Sequence, residues 1–124
     1  MNNQDQNPST IVNTSQGSYR VIVGRGVIDD LGIELSKTGQ TGRAFLIADE
    51  VMFANPVRRA HEALERGGFK THVLALELGE FNKNLDTVHT VYKWLDELHV
   101  ERNDIVVAMG GGVTGDLVGY AAAT

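Results

Sequence analysis

The chain has 124 residues, no cysteine and a formal net charge of -5, a length that fits one compact domain able to bury a core without metal or disulfide staples. Without cysteine there is no disulfide framework and no thiolate zinc site. The Lys and Arg residues are scattered, so nucleic acid is not an expected partner, and the longest apolar runs, such as Ile105–Met109, fall far short of the ~20 residues that cross a bilayer, so no membrane partner is expected either.

Met1 to Gln16 is polar, rich in Asn, Gln and Ser, and lacks the charged start and apolar stretch of a signal peptide. Residues 1–17 are read as a disordered leader, residues 18–124 as the domain, and the cytoplasm as the expected compartment. Tyr19–Gly24 alternates apolar and polar side chains, which predicts a half-buried strand ending at the Gly24-Arg25-Gly26 turn. Ile28, Leu31, Ile33 and Leu35 then repeat near helical spacing as far as Ser36, before Gly39 and Gly42 end the pattern. Arg43–Ala48 is a continuous apolar run that predicts a strand covered on both faces. Pro56 suits a first helical turn, and Val57, Ala60, Ala63 and Leu64 continue a helix that Gly67-Gly68 breaks.

Phe69–Leu76 predicts the next strand, and Leu78–Lys83 a polar loop. With Asn84 as cap, Leu85, Val88, Val91, Tyr92, Leu95 and Leu98 form one stripe of a long helix. Ile105–Met109 predicts another buried strand, and Gly110-Gly111-Gly112 leads into a helix beginning near Val113. Strand and helix alternate four times, which predicts an α/β fold with a Rossmann-like parallel sheet wrapped by helices. Leu117–Thr124 carries no stop signal, so the sequence is expected to end within an element, as a truncated frame or an isolated domain.

The segment Ile105–Asp116 runs from an apolar strand straight into a helix through three glycines. Glycine lets a main chain approach a pyrophosphate closely, and a helix start offers unpaired N–H groups and the positive end of its dipole. The spacing is not the G-x-G-x-x-G fingerprint in its usual place after a first strand. A plainer reading is that Gly110–Gly112 only make a tight turn, that Gly115 lets helices pack closely, and that Asp116 is a helix-start carboxylate.

Gly110-Gly111-Gly112-Val113-Thr114-Gly115-Asp116-Leu117-Val118-Gly119-Tyr120-Ala121-Ala122-Ala123-Thr124 resembles the signature of the 3-dehydroquinate synthases. The resemblance extends upstream through Gly79-Glu80-Phe81-Asn82-Lys83, which is similar to the family's Gly-Glu-x-x-Lys loop, and the strand end at Asp49-Glu50. It covers roughly Tyr19 to the end of the chain. It implies a Rossmann-like first domain that binds NAD, with a second, mostly helical domain carrying zinc or cobalt and most substrate contacts. By the same resemblance, Gly111, Gly112, Val113, Thr114, Gly115 and Asp116 would cradle the NAD pyrophosphate and hold the nicotinamide end. Leu78, Gly79, Glu80, Phe81, Asn82 and Lys83 would bind the ribose and adenine side. A carboxylate such as Glu80 accepts from ribose hydroxyls and Lys83 suits a phosphate, although an exposed ion pair is the plainer reading of those two. Asp49, at the carboxyl end of an interior strand, stands where such sheets present ribose-binding acids, or is an ordinary loop acid. The chain departs from the family at Val51, where a small polar residue is common, and at Leu78, where many members carry Asp or Pro.

Such enzymes convert 3-deoxy-arabino-heptulosonate 7-phosphate to 3-dehydroquinate and phosphate in the shikimate route to aromatic amino acids, with NAD transiently oxidising the substrate and zinc polarising the hydroxyl. The partners implied are NAD and a sugar phosphate, and a homodimer stays open as a way to cover apolar surface. The four histidines, His61, His72, His89 and His99, lack metal-ligand spacing, and by the resemblance the zinc ligands lie beyond Thr124. Other readings are another sugar-phosphate cyclase of the 2-deoxy-scyllo-inosose or valiolone type, a glycerol dehydrogenase-like enzyme, or a non-catalytic nucleotide-binding domain. Gly115-Asp116 and the Ala-rich end favour dehydroquinate synthase.

Overall fold

The structure, a computed structural model, describes residues 9–39, 42–49, 54–77 and 85–123. Its first two strands, β1 (Ser9–Thr14) and β2 (Gly17–Ile22), pair antiparallel with Ser9 opposite Ile22 and Thr14 opposite Gly17. The leader expected over residues 1–17 is thus corrected at residues 9–14. Thr10, Ile11, Val12 and Thr14 are β-branched, and β2 completes their main-chain hydrogen bonds, so a polar composition does not prevent a strand. Met1–Pro8 lies outside the described residues.

The helix expected over Ile28–Ser36 divides into a 3₁₀ turn (Val27–Asp30), entered through Gly26 at φ 71°, and α1 (Leu31–Ser36). Then β3 (Arg43–Asp49), α2 (Ala54–Arg66), β4 (Lys70–Leu76), α3 (Leu85–Glu97), β5 (Ile105–Met109) and α4 (Gly112–Ala123) follow in strict alternation. The three later strands form a parallel sheet in the order β4–β3–β5. The strand predicted from Tyr19 is a correction in kind, because β2 pairs with β1 and stays out of that sheet.

Residues Ala44–Ala48 of β3 have no exposed surface, as a central strand between helical layers requires. Side chains alternate along it. Phe45 and Ile47 pack with Val88, Val91 and Leu95 of α3 and with Leu117, Val118 and Ala121 of α4. Ala44 and Leu46 pack on the other face with Ala60 and Leu64 of α2 and with Phe69, flanked by Leu31 and Leu35 of α1. Full burial of each large side chain here contributes about 1.5–3 kcal/mol. The expectation that β5 is buried on both faces is corrected: it borders only β3 among the described strands, its side chains are partly buried and Ala108 is exposed. No helix among the described residues is long and apolar enough to cross a membrane.

Two contacts lock the scaffold. At the amino-terminal edge of the sheet, the buried Asp104 carboxylate accepts from the Arg43 N–H at 3.0 Å, the Arg43 guanidinium at 2.9 Å and the Glu101 N–H at 2.8 Å. The same guanidinium donates to the Leu98 and His99 carbonyls that end α3, at 2.8 and 2.6 Å. Beneath the other layer, α1 crosses the end of α2 backbone to backbone: a Cβ built on Gly32 would lie 2.9 Å from the Gly67 Cα.

Candidate functional site at the carboxyl edge of the parallel sheet

Asp49 ends β3, and the register that sets Ala48 opposite Met109 brings the start of the glycine segment beside it. The connections after these two adjacent strands leave to opposite faces, since α2 covers the Ala44–Leu46 side and α4 the Phe45–Ile47 side. Open α/β sheets bind ligands at the edge where the connections of neighbouring strands diverge in this way. Asp49 is 7% exposed at that position. On the far side of β3, Leu76 pairs with Asp49 at the end of β4, so the segment after it departs from the same edge. The expected contacts Leu78, Gly79, Glu80, Phe81, Asn82 and Lys83, the cap Asn84 and the departure at Val51 lie outside the described residues.

The helix begins at Gly112, one residue before the expected start. Its first internal hydrogen bond runs from the Gly115 N–H to the Gly111 carbonyl at 3.1 Å, so the amides of Gly112, Val113 and Thr114 have no acceptor within the helix. They project from the positive end of the α4 dipole, which favours an anion. No acidic residue lies in the first turn, and the helix-start reading of Asp116 is corrected accordingly: it is exposed in the second turn.

The glycines divide sharply by environment. A Cβ on Gly110 would sit 2.7 Å from the Thr114 Cβ, so Gly110 is required by the fold itself. Among the described residues, a Cβ on Gly111, Gly112, Gly115 or Gly119 would meet nothing within 4 Å, and none of these four has a positive φ. Among the described residues, neither a positive φ nor helix packing calls for glycine at these four positions. Thr114 is 1% exposed, its side chain packed over Gly110 with a buried Oγ1 that has no hydrogen-bond partner among the described residues. Its N–H is thus the part of Thr114 available to a ligand. With Leu117, Val118 and Ala121 it forms the buried stripe of α4 at spacings of three and four, leaving Gly112, Gly115, Asp116 and Gly119 exposed. The structural pair Gly110–Thr114 was not singled out from sequence; the signal was a β-branched residue four positions after a strand-ending glycine.

The histidines are dispersed. His61 lies on α2 beside Glu65 at 3.7 Å, His72 is on β4 stacked against Phe45 with ring centroids 5.3 Å apart, His89 is on α3, and His99 follows α3 with φ 54°. Among the described residues no three or more metal-binding side chains gather at one point.

The sequence model described as 3-dehydroquinate synthase N-terminal matches residues 73–124, the stretch holding the end of β4, α3, β5 and the glycine helix. 3-Dehydroquinate synthases from Clostridium kluyveri and Streptococcus sanguinis are 34% and 36% identical over 113 residues, each alignment covering 91% of this chain. That from Nitrobacter hamburgensis is 33% identical over 121 residues, or 97% of the chain. The chain is a homologue of the N-terminal region of 3-dehydroquinate synthases. It spans about a third of the length of these 3-dehydroquinate synthases, 32% in each case.

Solved structures agree on the fold. A 2-deoxy-scyllo-inosose synthase complexed with carbaglucose-6-phosphate, NAD+ and Co2+ superposes with a TM-score of 0.84 at 23% identity, over 94% of this chain and 32% of that one. The 2-epi-5-epi-valiolone synthase of Streptomyces hygroscopicus, with NAD+ and Zn2+ bound, gives 0.65 at 26% identity over 75% of this chain and 26% of that one. The 3-dehydroquinate synthase homologue accordingly shares the α/β fold of the matched regions of these synthases, with the glycine helix at the carboxyl edge of its sheet.

Proposed function

We propose that the chain is the NAD-binding part of a 3-dehydroquinate synthase, which converts 3-deoxy-arabino-heptulosonate 7-phosphate to 3-dehydroquinate and phosphate. The observation that carries this reading is the set of glycines at the mouth of α4 whose missing side chains leave open surface. Glycine there costs helix stability and relieves no contact with the described residues, which a close main-chain approach by a ligand explains. A diphosphate fits both the open space and the unpaired amides. The relatives named 3-dehydroquinate synthase, at 33–36% identity over most of the chain, favour that reaction over those of the other cyclases.

In this reading the amides of Gly111–Thr114 receive the pyrophosphate and Asp116 borders the nicotinamide end. Asp49 accepts from a ribose hydroxyl, and Leu78–Lys83 covers the adenosine side, with Glu80 and Lys83 supplying its charges. Bound NAD would supply reversible hydride acceptance. The chain's own work is to place the cofactor and keep it out of water between diverging strands. Zinc or cobalt and most contacts to the sugar phosphate belong to other parts of the enzyme, which acts in aromatic amino acid synthesis in the cytoplasm.

Calorimetric titration with NAD tests the assignment. Gly112→Val fills the approach path and Asp116→Ala removes the carboxylate; each is expected to weaken binding by about tenfold or more, or ~1.4 kcal/mol. Binding by both variants as tight as that of the parent chain overturns it.

A further inference from the structure

We propose, resting on the NAD reading, that the side chain of Thr114 is a positioning group: wedged against Gly110, it holds the anion-receiving amides of α4 in shape through the main chain. β5 ends at Met109, in register with Ala48, and α4 begins at Gly112, so only Gly110 and Gly111 join a fixed strand to the helix. A run of three glycines has the widest backbone freedom a sequence offers. Among the described residues a Cβ on Gly111 or Gly112 would meet nothing within 4 Å, so no packing defines the mouth at those two positions. Gly111 is tied to the helix by the Gly115 N–H at 3.1 Å. Gly110 is held differently. A Cβ built there lies 2.7 Å from the Thr114 Cβ and 3.0 Å from its Cγ2, with Oγ1 closer still. The whole branch of one side chain therefore fills the volume that residue 110 leaves empty.

What Thr114 contributes is its shape. Its Oγ1 is buried with no hydrogen-bond partner, and an unpartnered buried hydroxyl works against folding, so bonding by that oxygen does not account for the residue. A β-branched side chain is stiff about its first torsion, which suits a wedge. The wedge is also anchored, because Thr114 stands on the buried stripe whose Leu117, Val118 and Ala121 pack on Phe45 and Ile47 of β3. The position of Gly110 is thereby referred to the sheet rather than to a free helix end. Trimming the branch frees a turn of three glycines, and a ligand must then order that turn as it binds, at a cost in affinity.

The test is NAD titration by calorimetry at a temperature where circular dichroism shows the parent and every variant folded. Thr114→Ala is expected to bind NAD about tenfold more weakly. Thr114→Val keeps the branch without the hydroxyl and is expected to restore the affinity, whereas Thr114→Ser keeps the hydroxyl without the methyl and should side with alanine. Val118→Ala, one turn further along the same buried stripe, is expected to lose stability as Thr114→Ala does and to leave NAD affinity where it was; a merely structural role for Thr114 would not separate the two. Unchanged affinity in Thr114→Ala, a valine variant as weak as the alanine one, or an equal loss in Val118→Ala overturns the inference and leaves the NAD reading standing. A parent chain that takes up no NAD overturns that reading, and the positioning role falls with it.

Discussion

Alanine at Gly115 and at Gly119 separates what the fold needs from what a ligand needs. Both glycines lie inside α4, on its exposed side, and among the described residues a Cβ at either meets nothing within 4 Å. Replacing glycine by alanine in an exposed helix interior stabilises by about 0.5–1 kcal/mol, so each variant is expected to unfold roughly 2–6 °C above the parent. Their effects on NAD should part. Gly115 is one turn from the helix mouth, and its added methyl is expected to weaken NAD binding about tenfold, or ~1.4 kcal/mol. Gly119 lies a further turn away, about 6 Å along the axis, and its variant should bind as the parent does. Differential scanning calorimetry and NAD titration on the same preparations measure both. Destabilisation by either alanine refutes the claim of open surface, and unchanged affinity in Gly115→Ala refutes the claim that a ligand occupies it.

Gly110→Ala should act in the opposite sense, because its Cβ lands 2.7 Å from that of Thr114; a loss of about 1–3 kcal/mol in urea denaturation is expected. Gly32→Ala, pressed on the Gly67 Cα at 2.9 Å, should cost a similar amount. For Asp104, burial pushes the carboxyl pKa up, but the Glu101 and Arg43 N–H groups and the Arg43 guanidinium outweigh it and hold the group below its ordinary 3.8. A folded-state pKa that is depressed contributes stability above the unfolded value and loses it as pH falls through the folded one. The parent should therefore weaken as pH drops below about 3.8, and Asp104→Asn should be less stable at neutral pH and lose less over that acid window, as followed by circular dichroism. The chain alone is expected to give no turnover with NAD, zinc and the heptulosonate phosphate; product release in a phosphate assay would overturn that.

The parallel core was legible because local pattern and tertiary role coincide there. Ala44–Ala48 reads as a strand with no polar face and is one, and Val88, Val91 and Leu95 mark the inward side of α3 before any partner is known. Strand membership was less legible. Val21 and Ile22 announce a strand, but whether it joins the parallel sheet depends on a partner, Ser9–Thr14, that polar composition disguises. Burial of β5 failed for the same reason, since exposure is set by neighbours rather than by the run Ile105–Met109 itself. At the site, the glycine run was visible as a motif, yet only the fold distinguishes Gly110, needed by Thr114, from Gly111, Gly112 and Gly115, which packing among the described residues does not need.

The Arg43–Asp104 bolt lies at the end of the sheet remote from the glycine helix and ties together the roots of β3, β5 and α3. The bolt and the proposed binding edge are thereby housed at opposite rims. The foundation holds the strands in register from one end, so substitutions at the opposite rim leave that register intact.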